Sequence, residues 1–558
     1  MYNMQLNNSK TMVLRGLKFR HYAAPSGRYP LLAGTTTSSF ASFYPRAFSV
    51  STTHRAQEFS VKLKDGQTVR SPLGLFINNE FVPAASGATS PLIDPRTESP
   101  LCHVARAAKE DVDKAVHASN LALHQNKQWR EMSQRERGNR LYRLADLVEE
   151  NAEELALLES LNSGVSLAET KGFHIPFTVN CLRYYAGWAD KLSGKTIPFP
   201  GRYLCFTKRD PVGVVGGIIP WNFPLMLLSW KFGPAVAAGN ALVVKPSELT
   251  PLTALRFAEL TREAGFPDGV FQVVPGYGKE AGDSLARHMQ VDKVAFTGST
   301  DTGRLIMKAA AESNLKRVSM ELGGKSPNII FSDVDLKQAV KWAHMGVFLN
   351  GGQNCCAGSR VFVQEKVYDE FLERSKEAAN KRVVGDPLDP STEQGPCVDK
   401  NQYEKVMKYI HYGKEEGATL VSGGGRPQEL SDKGYFVRPT IFADVSANMK
   451  IAREEIFGPV MSVMKFKDEE EVIQRANDTE FGLAAAVFTN DISRALSIAN
   501  NVRAGTVWVN SYNWTDPAAP FGGFKGSGFG RDLSEYAFEQ YTEIKTVTIN
   551  YDPKSQTL

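Results

Sequence analysis

The chain has 558 residues, 42% hydrophobic and 23% charged, with a formal net charge of only +4. That length supports a large core and more than one domain, and the near-neutral balance, with no basic stripe interleaved with aromatics, excludes nucleic acid as a partner. Six sparse, irregularly spaced cysteines (Cys102, Cys181, Cys205, Cys355, Cys356 and Cys397) exclude a disulfide framework and point to a reducing compartment, while the lack of any CxxC, HxxxH or HExxH pattern leaves no metal site to expect.

The first acidic residue is Glu58; before it lie Lys10, Arg15, Lys18, Arg20, Arg28, Arg46 and Arg55 among many Ser, Thr and aromatic residues. A cationic, acid-free segment of this kind suits a mitochondrial transit peptide over residues 1–55. Arg46, Phe48 and Ser51 stand ten, eight and five places back from a cut after Arg55, which resembles a two-step processing site. The alternative is an unstructured tail.

LGLFINNEFVPAASGATSPLIDP then reads as short strands and turns, and residues 111 to 162 carry helical spacing with charged faces, stopped by Gly164. Pro211 to Trp230 is uncharged and long enough to test as a membrane span, but Pro220, Asn222 and Pro224 interrupt it; a strand followed by a loop is expected, and no membrane span. From about 212 to 332 apolar strands alternate with helices: VGVVGGII, ALVVKP, a helix in TPLTALRFAELTREAG with Thr250 as its N-cap, Pro251 in its first turn and Gly265 at its end, then FQVVPG, KVAFTGS, the helix TGRLIMKAAAES, RVSMELGG and NIIF. Such alternation predicts a parallel sheet covered on both faces, with ligands beyond the strands' carboxyl ends. A second strand–helix series runs from about 334 to 520, and EIKTVTINY alternates like a strand.

Five stretches carry candidate chemistry. Glu321 opens the Gly-rich turn ELGGKSPN, where two glycines allow close approach of a ligand or another backbone. Cys355 and Cys356 sit in GGQNCCAG; a buried filler needs no such loop, whereas a nucleophilic thiolate gains from backbone N–H groups and a nearby helix start. Asn222 in IIPWNFP could donate its amide to an oxyanion, although a plain turn role fits it too. Lys245 and Glu248 in ALVVKPSE come just after a strand, where they could hold a ribose. FTGSTDTG offers backbone N–H groups to a pyrophosphate, without being the usual GxGxxG fingerprint.

Together and in this order, PWNFP, KPSE, FTGST, ELGGKSP, GQNC, EEIFGPV and PFGGFKGSG resemble the aldehyde dehydrogenase superfamily, closest to its mitochondrial, NAD-dependent, broad-substrate branch, over roughly residues 70 to 550. The resemblance implies an α/β fold: a Rossmann-like NAD-binding domain (61–192 and 212–323), an α/β catalytic domain (324–526) and a small β oligomerisation element (193–211 and 542–551). It implies Cys355 as nucleophile, Asn222 with the Cys355 N–H as oxyanion donors, and Glu321 as the base that activates water against the thioester. Cys356 would line the site or serve as an oxidation partner.

For the cofactor, the resemblance implies Lys245 and Glu248 at the adenosine ribose, where an acidic group favours NAD over NADP. Gly298 and Ser299 would approach the pyrophosphate, Glu455 the nicotinamide ribose and Phe457 the nicotinamide ring, with Pro220 and Trp221 shaping the crevice. The substrate pocket would be lined by Phe223, Met226, Trp230, Leu349, Asn354 and Ser511 to Thr515, apolar and free of Arg or Lys, which suits simple aliphatic or aromatic aldehydes. A homotetramer or homodimer in the mitochondrial matrix is implied, with Glu543 paired to Arg317 and Arg531.

Three other functions compete. A CoA-acylating semialdehyde dehydrogenase can dispense with the glutamate base, which is present here as Glu321. A non-catalytic protein on the same fold has no need of Cys355, Glu321, Asn222 and Glu455 together. A cysteine hydrolase pairs Cys with His, and the nearest His upstream, His344, lies eleven positions before the nucleophile.

Overall fold

The computed structural model describes residues 58–62, 66 and 68–552; the transit-peptide expectation for residues 1–55 falls outside them. Two large sheets organise the rest. In the first, the strand order is Gly528–Phe529, Arg317–Glu321, Lys293–Thr297, Val214–Ile218, Ala241–Lys245, Phe271–Val273, Leu75–Ile77 and Glu80–Val82. Its five middle strands run parallel, and its edges are antiparallel. VVGGI and ALVVK are buried along their whole length, as strands covered on both faces must be. The second sheet orders Thr419–Ser422, Thr440–Ala443, Val460–Phe466, Arg360–Gln364, Pro327–Ile330, Ala484–Phe488 and Thr506–Val509, parallel apart from its first pair.

Helices close the faces by apolar packing. Phe232, Phe257 and Phe271 meet edge to face at centroid distances of 5.1, 4.9 and 5.9 Å between two helices and the first sheet. All three rings are essentially inaccessible, and burying each stabilises by about 1.5–3 kcal/mol. Gly164 ends the helix Ala152–Ser163 with φ +84°, a left-handed conformation in which its N–H reaches Ser160 O at 2.9 Å.

Two local expectations are corrected. The run from Pro211 to Trp230 is a strand, Val214–Ile218, but its second half is not loop: Pro224 opens the helix Pro224–Ala237, because proline at the first helical position loses no hydrogen bond. Thr250 does not cap Leu252–Glu263; Pro251 holds the cap position and the Thr250 hydroxyl is buried without a partner. Gly265 ends that helix with φ +80°. No helix among the described residues is long and apolar enough to cross a membrane.

Thr542–Asn550 pairs with Tyr203–Pro211 along its full length, and Thr196–Ile197 adds a third strand. Ile544, Ile549, Leu204 and Tyr203 of this sheet are exposed.

Candidate active site

Strand register brings the motifs together. Ile218 lies beside Lys245 on one side and Phe296 on the other, and Thr297 lies beside Glu321. Four parallel strands therefore end level, and each end carries the chain straight into a motif: PWNFP, KPSE, GST or ELGG. ELGGKSP then crosses directly into the second sheet at Pro327.

The cysteine turn comes after the helix Leu336–Phe348. Asn350, Gly351 and Gly352 take φ of +49°, +59° and +74° in succession. A Cβ on Gly352 would lie 2.1 Å from Gly458 O, so glycine is required both for the angle and for the close approach to the FGPV turn. The adjoining helix presents its C-terminal end to this turn; the helix start that comes near is that of Pro224–Ala237, two residues after Asn222, whose amide donates to Gln353 O at 3.0 Å. Cys355 is half-buried and Cys356 buried. The Cys356 Sγ lies 3.3 Å from the side-chain oxygens of both Asn354 and Asn513. The Cys355 thiol is held well above its usual range, first by its hydrogen bond with Cys356, then by burial, with the Glu455 carboxylate adding to both. At rest Cys355 is a thiol, and its sulfur becomes reactive when that proton leaves.

The two glycines of ELGG are squeezed between the cysteine turn and Glu455. A Cβ on Gly324 would meet Cys355 O at 2.4 Å, and one on Gly323 would meet Glu455 Oε2 at 2.4 Å. Glu455 Oε1 accepts the Gly324 N–H at 2.9 Å. Burial raises the Glu455 carboxyl; the Gly324 N–H, Lys405 and Lys325 oppose that. Glu321 is buried with neither carboxylate oxygen hydrogen-bonded. Burial, joined by the neighbouring Asp532 and Cys355, raises its carboxyl well above the usual range, so this group holds a proton more readily than an ordinary carboxylate. Lys231 and Asp532 form a buried ion pair close by.

Asn222 is buried. Its Nδ2 donates to Gln353 O at 3.0 Å, and its own backbone carbonyl accepts Asn350 Nδ2 at 2.7 Å. The PWNFP and cysteine turns are thus laced together, leaving the second amide hydrogen of Asn222 for a developing oxyanion. Trp221 stands edge-on to Phe457 at 5.2 Å, and Phe457 itself takes φ +60°. Pro220 adjoins Trp221, both half-buried.

The residues expected at the cofactor lie along the same row of strand ends. Lys245 is buried, and its Nζ donates to Pro246 O at 2.6 Å and to Glu248 Oε2 at 3.3 Å. Burial lowers the lysine and Glu248 partly restores it. Ser299 caps the helix Thr300–Ala311 by accepting Thr302 N at 3.2 Å. The Gly298 N–H is committed to Glu321 O at 3.0 Å, tying this turn to the start of ELGG. A half-exposed carboxylate beside a buried ammonium fits a free ribose diol and opposes a 2′-phosphate, so these residues fit NAD.

A cleft of about 640 Å³ is lined by Leu349, Asn513 and Thr515, and its Asn513 touches the Cys356 Sγ at 3.3 Å. Trp514, within the expected Ser511 to Thr515 segment, lines it too, as do Phe173, Phe177, Trp342 and Met345; local sequence gave no sign of these four beyond an aromatic pair four residues apart. Phe223, Met226 and Trp230 are buried behind this wall: Phe173 packs on Phe223 at 6.5 Å and Phe177 on Trp230 at 5.9 Å. Arg382, Glu169 and Glu393 border the cleft, so its rim is not free of charge as expected. Arg382 donates to the carbonyls of Phe348 and Glu393 at 2.9 and 3.0 Å, which commits it to the cysteine-bearing segment. Glu543 pairs with Arg317 at 2.5 Å, whereas Arg531 turns to the carbonyls of Gly523 and Gly530 and makes no ion pair with Glu543.

Residues 81–547 match the Aldehyde dehydrogenase family. The chain is 54% identical over 481 residues to "Aldehyde dehydrogenase, mitochondrial" of Sus scrofa, covering 86% of this chain and 92% of that protein. It is 52% identical to "Retinal dehydrogenase 2" of Mus musculus, with the same coverage. The NAD+ complex structure of aldehyde dehydrogenase from Bacillus cereus superimposes with a TM-score of 0.84 at 50% identity, over 86% of this chain and 96% of that one.

Proposed function

This chain belongs to the aldehyde dehydrogenase family and oxidises aldehydes with NAD; on that premise we propose that Cys355 is its nucleophile, Asn222 its oxyanion donor and Glu321 its base. The observation that carries this division of labour is the Gly323–Gly324 turn, which holds Cys355 and Glu455 within van der Waals reach of one backbone corner directly after Glu321.

The Cys355 sulfur adds to the aldehyde carbon as its proton leaves to solvent. The oxyanion that forms meets the Asn222 amide and the Cys355 N–H. When bound, NAD supplies the hydride acceptor. The resulting Cys355 thioester is attacked by water, whose proton goes to Glu321, which burial equips to take it; the C–S bond breaks, the acid leaves and Glu321 passes that proton to the sulfur, restoring the thiol. Lys245, Glu248, Gly298, Ser299, Glu455, Phe457, Trp221 and Pro220 would hold the cofactor along the row of strand ends.

The substrates are aldehydes. The aromatic lining of the cleft supports bulky aryl and aliphatic members of that class, in keeping with the retinal dehydrogenase likeness. We further read residues 61–192 and 212–323 as the cofactor domain, 324–526 as the catalytic domain, and the three-stranded sheet as the oligomerisation element of a homodimer or homotetramer; its exposed Ile544 and Ile549 support that reading. The acid-free N-terminal stretch and the likeness to a mitochondrial enzyme support a place in the mitochondrial matrix. The test is NADH formation from NAD and a panel of aldehydes, beside Cys355→Ala. Turnover in the wild type and none in the variant is expected; equal turnover in both would discard Cys355 as nucleophile.

A further inference from the structure

Behind the substrate cleft lies a buried group that the chemistry above does not use. His174 is fully buried between two carboxylates: Nδ1 is 2.7 Å from Glu159 Oε1, and Nε2 is 3.4 Å from Glu169 Oε1. Only the doubly protonated ring can donate in both directions. The far oxygen of each carboxylate is also engaged. Glu159 Oε2 accepts the Leu225 N–H at 3.1 Å, in the first turn of the helix just beyond Asn222. Glu169 Oε2 accepts the Asn350 N–H at 3.0 Å, at the start of the left-handed run that leads to Cys355. Asn350 Nδ2 in turn donates to Asn222 O.

The local backbone is shaped for this. The helical run from Leu167 to Trp188 is interrupted by a π-turn, Thr170–His174, that ends on the histidine; such insertions re-aim side chains and cluster at functional sites. The helix Pro224–Ala237, packed against the ring, contributes the Leu225 amide, and the preceding Phe223 ring lies 4.8 Å away. Arg382 is the further cation that faces Glu169.

We propose that His174 is a positioning residue: clasped between Glu159 and Glu169, it fixes the turn bearing Asn222 against the turn bearing Cys355. The inference rests on the assignment of those two residues above. Asn350 opens the left-handed run, a conformation that a residue other than glycine keeps only where the surroundings over-determine it, and its N–H held by Glu169 is the first of those constraints. Burial draws the imidazolium down, but the hydrogen bonds from Glu159 and Glu169 outweigh it and raise His174 to about 9. Charge is therefore present through neutral pH and is lost as pH rises through that value, leaving the buried Glu159 carboxylate and the half-buried Glu169 carboxylate without a cation between them.

The test is the single-turnover burst of NADH from the full-length enzyme at saturating NAD, across pH, for the wild type, His174→Gln, Glu169→Gln, Glu169→Leu and Cys355→Ala. His174→Gln should slow the burst by about tenfold or more, since displacements near 1 Å cost up to about a hundredfold, with the NAD KM unchanged. The wild type should lose burst rate with a midpoint near pH 9, and His174→Gln should lack that limb. Glu169→Gln keeps an oxygen for the Asn350 N–H and should stay within about threefold of wild type, while Glu169→Leu should not. A His174→Gln burst equal to wild type with an unchanged pH profile overturns the proposal. Where His174→Gln does not fold, equal rates in Glu169→Gln and Glu169→Leu overturn it instead. A burst that survives Cys355→Ala removes the nucleophile assignment and the clasp with it; a burst lost in Cys355→Ala but normal in the other variants removes the clasp alone.

Discussion

Replacing Glu321 by glutamine separates the two halves of the reaction. The side chain is buried, its two oxygens accept no hydrogen bond, and Gly522 approaches so closely that an added Cβ there would lie 2.9 Å from Glu321 Oε1. Glutamine fills the same volume, so no cavity opens. The fold effect is the difference of two opposed changes. An unpartnered buried amide costs about 1–3 kcal/mol. Against this, burial raises the folded-state carboxyl, so the wild type loses stability as pH climbs from the unfolded carboxyl value through the folded one, and glutamine removes that loss. Glu321→Gln should therefore be less stable than wild type in acid and close to it at neutral pH. On activity, loss of a general base costs about 10²–10⁴-fold, or roughly 3–5.5 kcal/mol of barrier. If Glu321 serves water attack above all, stopped-flow mixing with aldehyde and NAD should show a burst of NADH approaching one per subunit, then a steady rate reduced by that factor. Hydroxylamine, which attacks thioesters unaided, should restore turnover. A steady rate within about tenfold of wild type, or slow turnover that hydroxylamine leaves unchanged, would refute Glu321 as the hydrolytic base.

The geometry predicts two further outcomes. Cys356→Ala removes the first cause of the raised Cys355 thiol, so the pH at which Cys355 is alkylated by iodoacetamide should move down and the rate at neutral pH rise; an unchanged profile would show that burial alone holds the thiol up. Glu543→Lys replaces the partner of Arg317 with a like charge, in a cleft of about 590 Å³ also bordered by Arg209 and Arg531; since Arg317 begins the strand that ends at Glu321, the NAD KM should rise about fivefold or more, exceeding the worth of an exposed ion pair. A KM equal to wild type would uncouple that pair from the cofactor site.

Much of the fold was legible because its signals are local. Apolar runs such as VGVVGGII and ALVVK between amphipathic helices give a parallel sheet wherever they occur, and Gly164 ends its helix for a reason internal to one residue. Where two local signals competed, the weaker one looked the stronger: Pro224 broke the pattern as a turn residue but serves as the first residue of a helix, and Thr250 looked like a cap but leaves that place to Pro251.

The sequence by itself determined the alternating α/β layout, the motifs at the strand ends and, through their order, the family and its NAD-dependent aldehyde chemistry. Only the tertiary structure decided how those motifs meet. The contacts that assemble the site join residues far apart in the chain: Asn222 with Gln353 and Gly324 with Glu455 are each 131 positions apart. No periodicity or propensity reports such pairs, since both are properties of neighbours. The same holds for the cleft wall at Phe173, Phe177 and Trp342 and for the buried Glu159–His174–Glu169 group. Each is an ordinary helical residue in sequence, and it gains a role only when strand register and helix packing bring it against a turn from elsewhere in the chain.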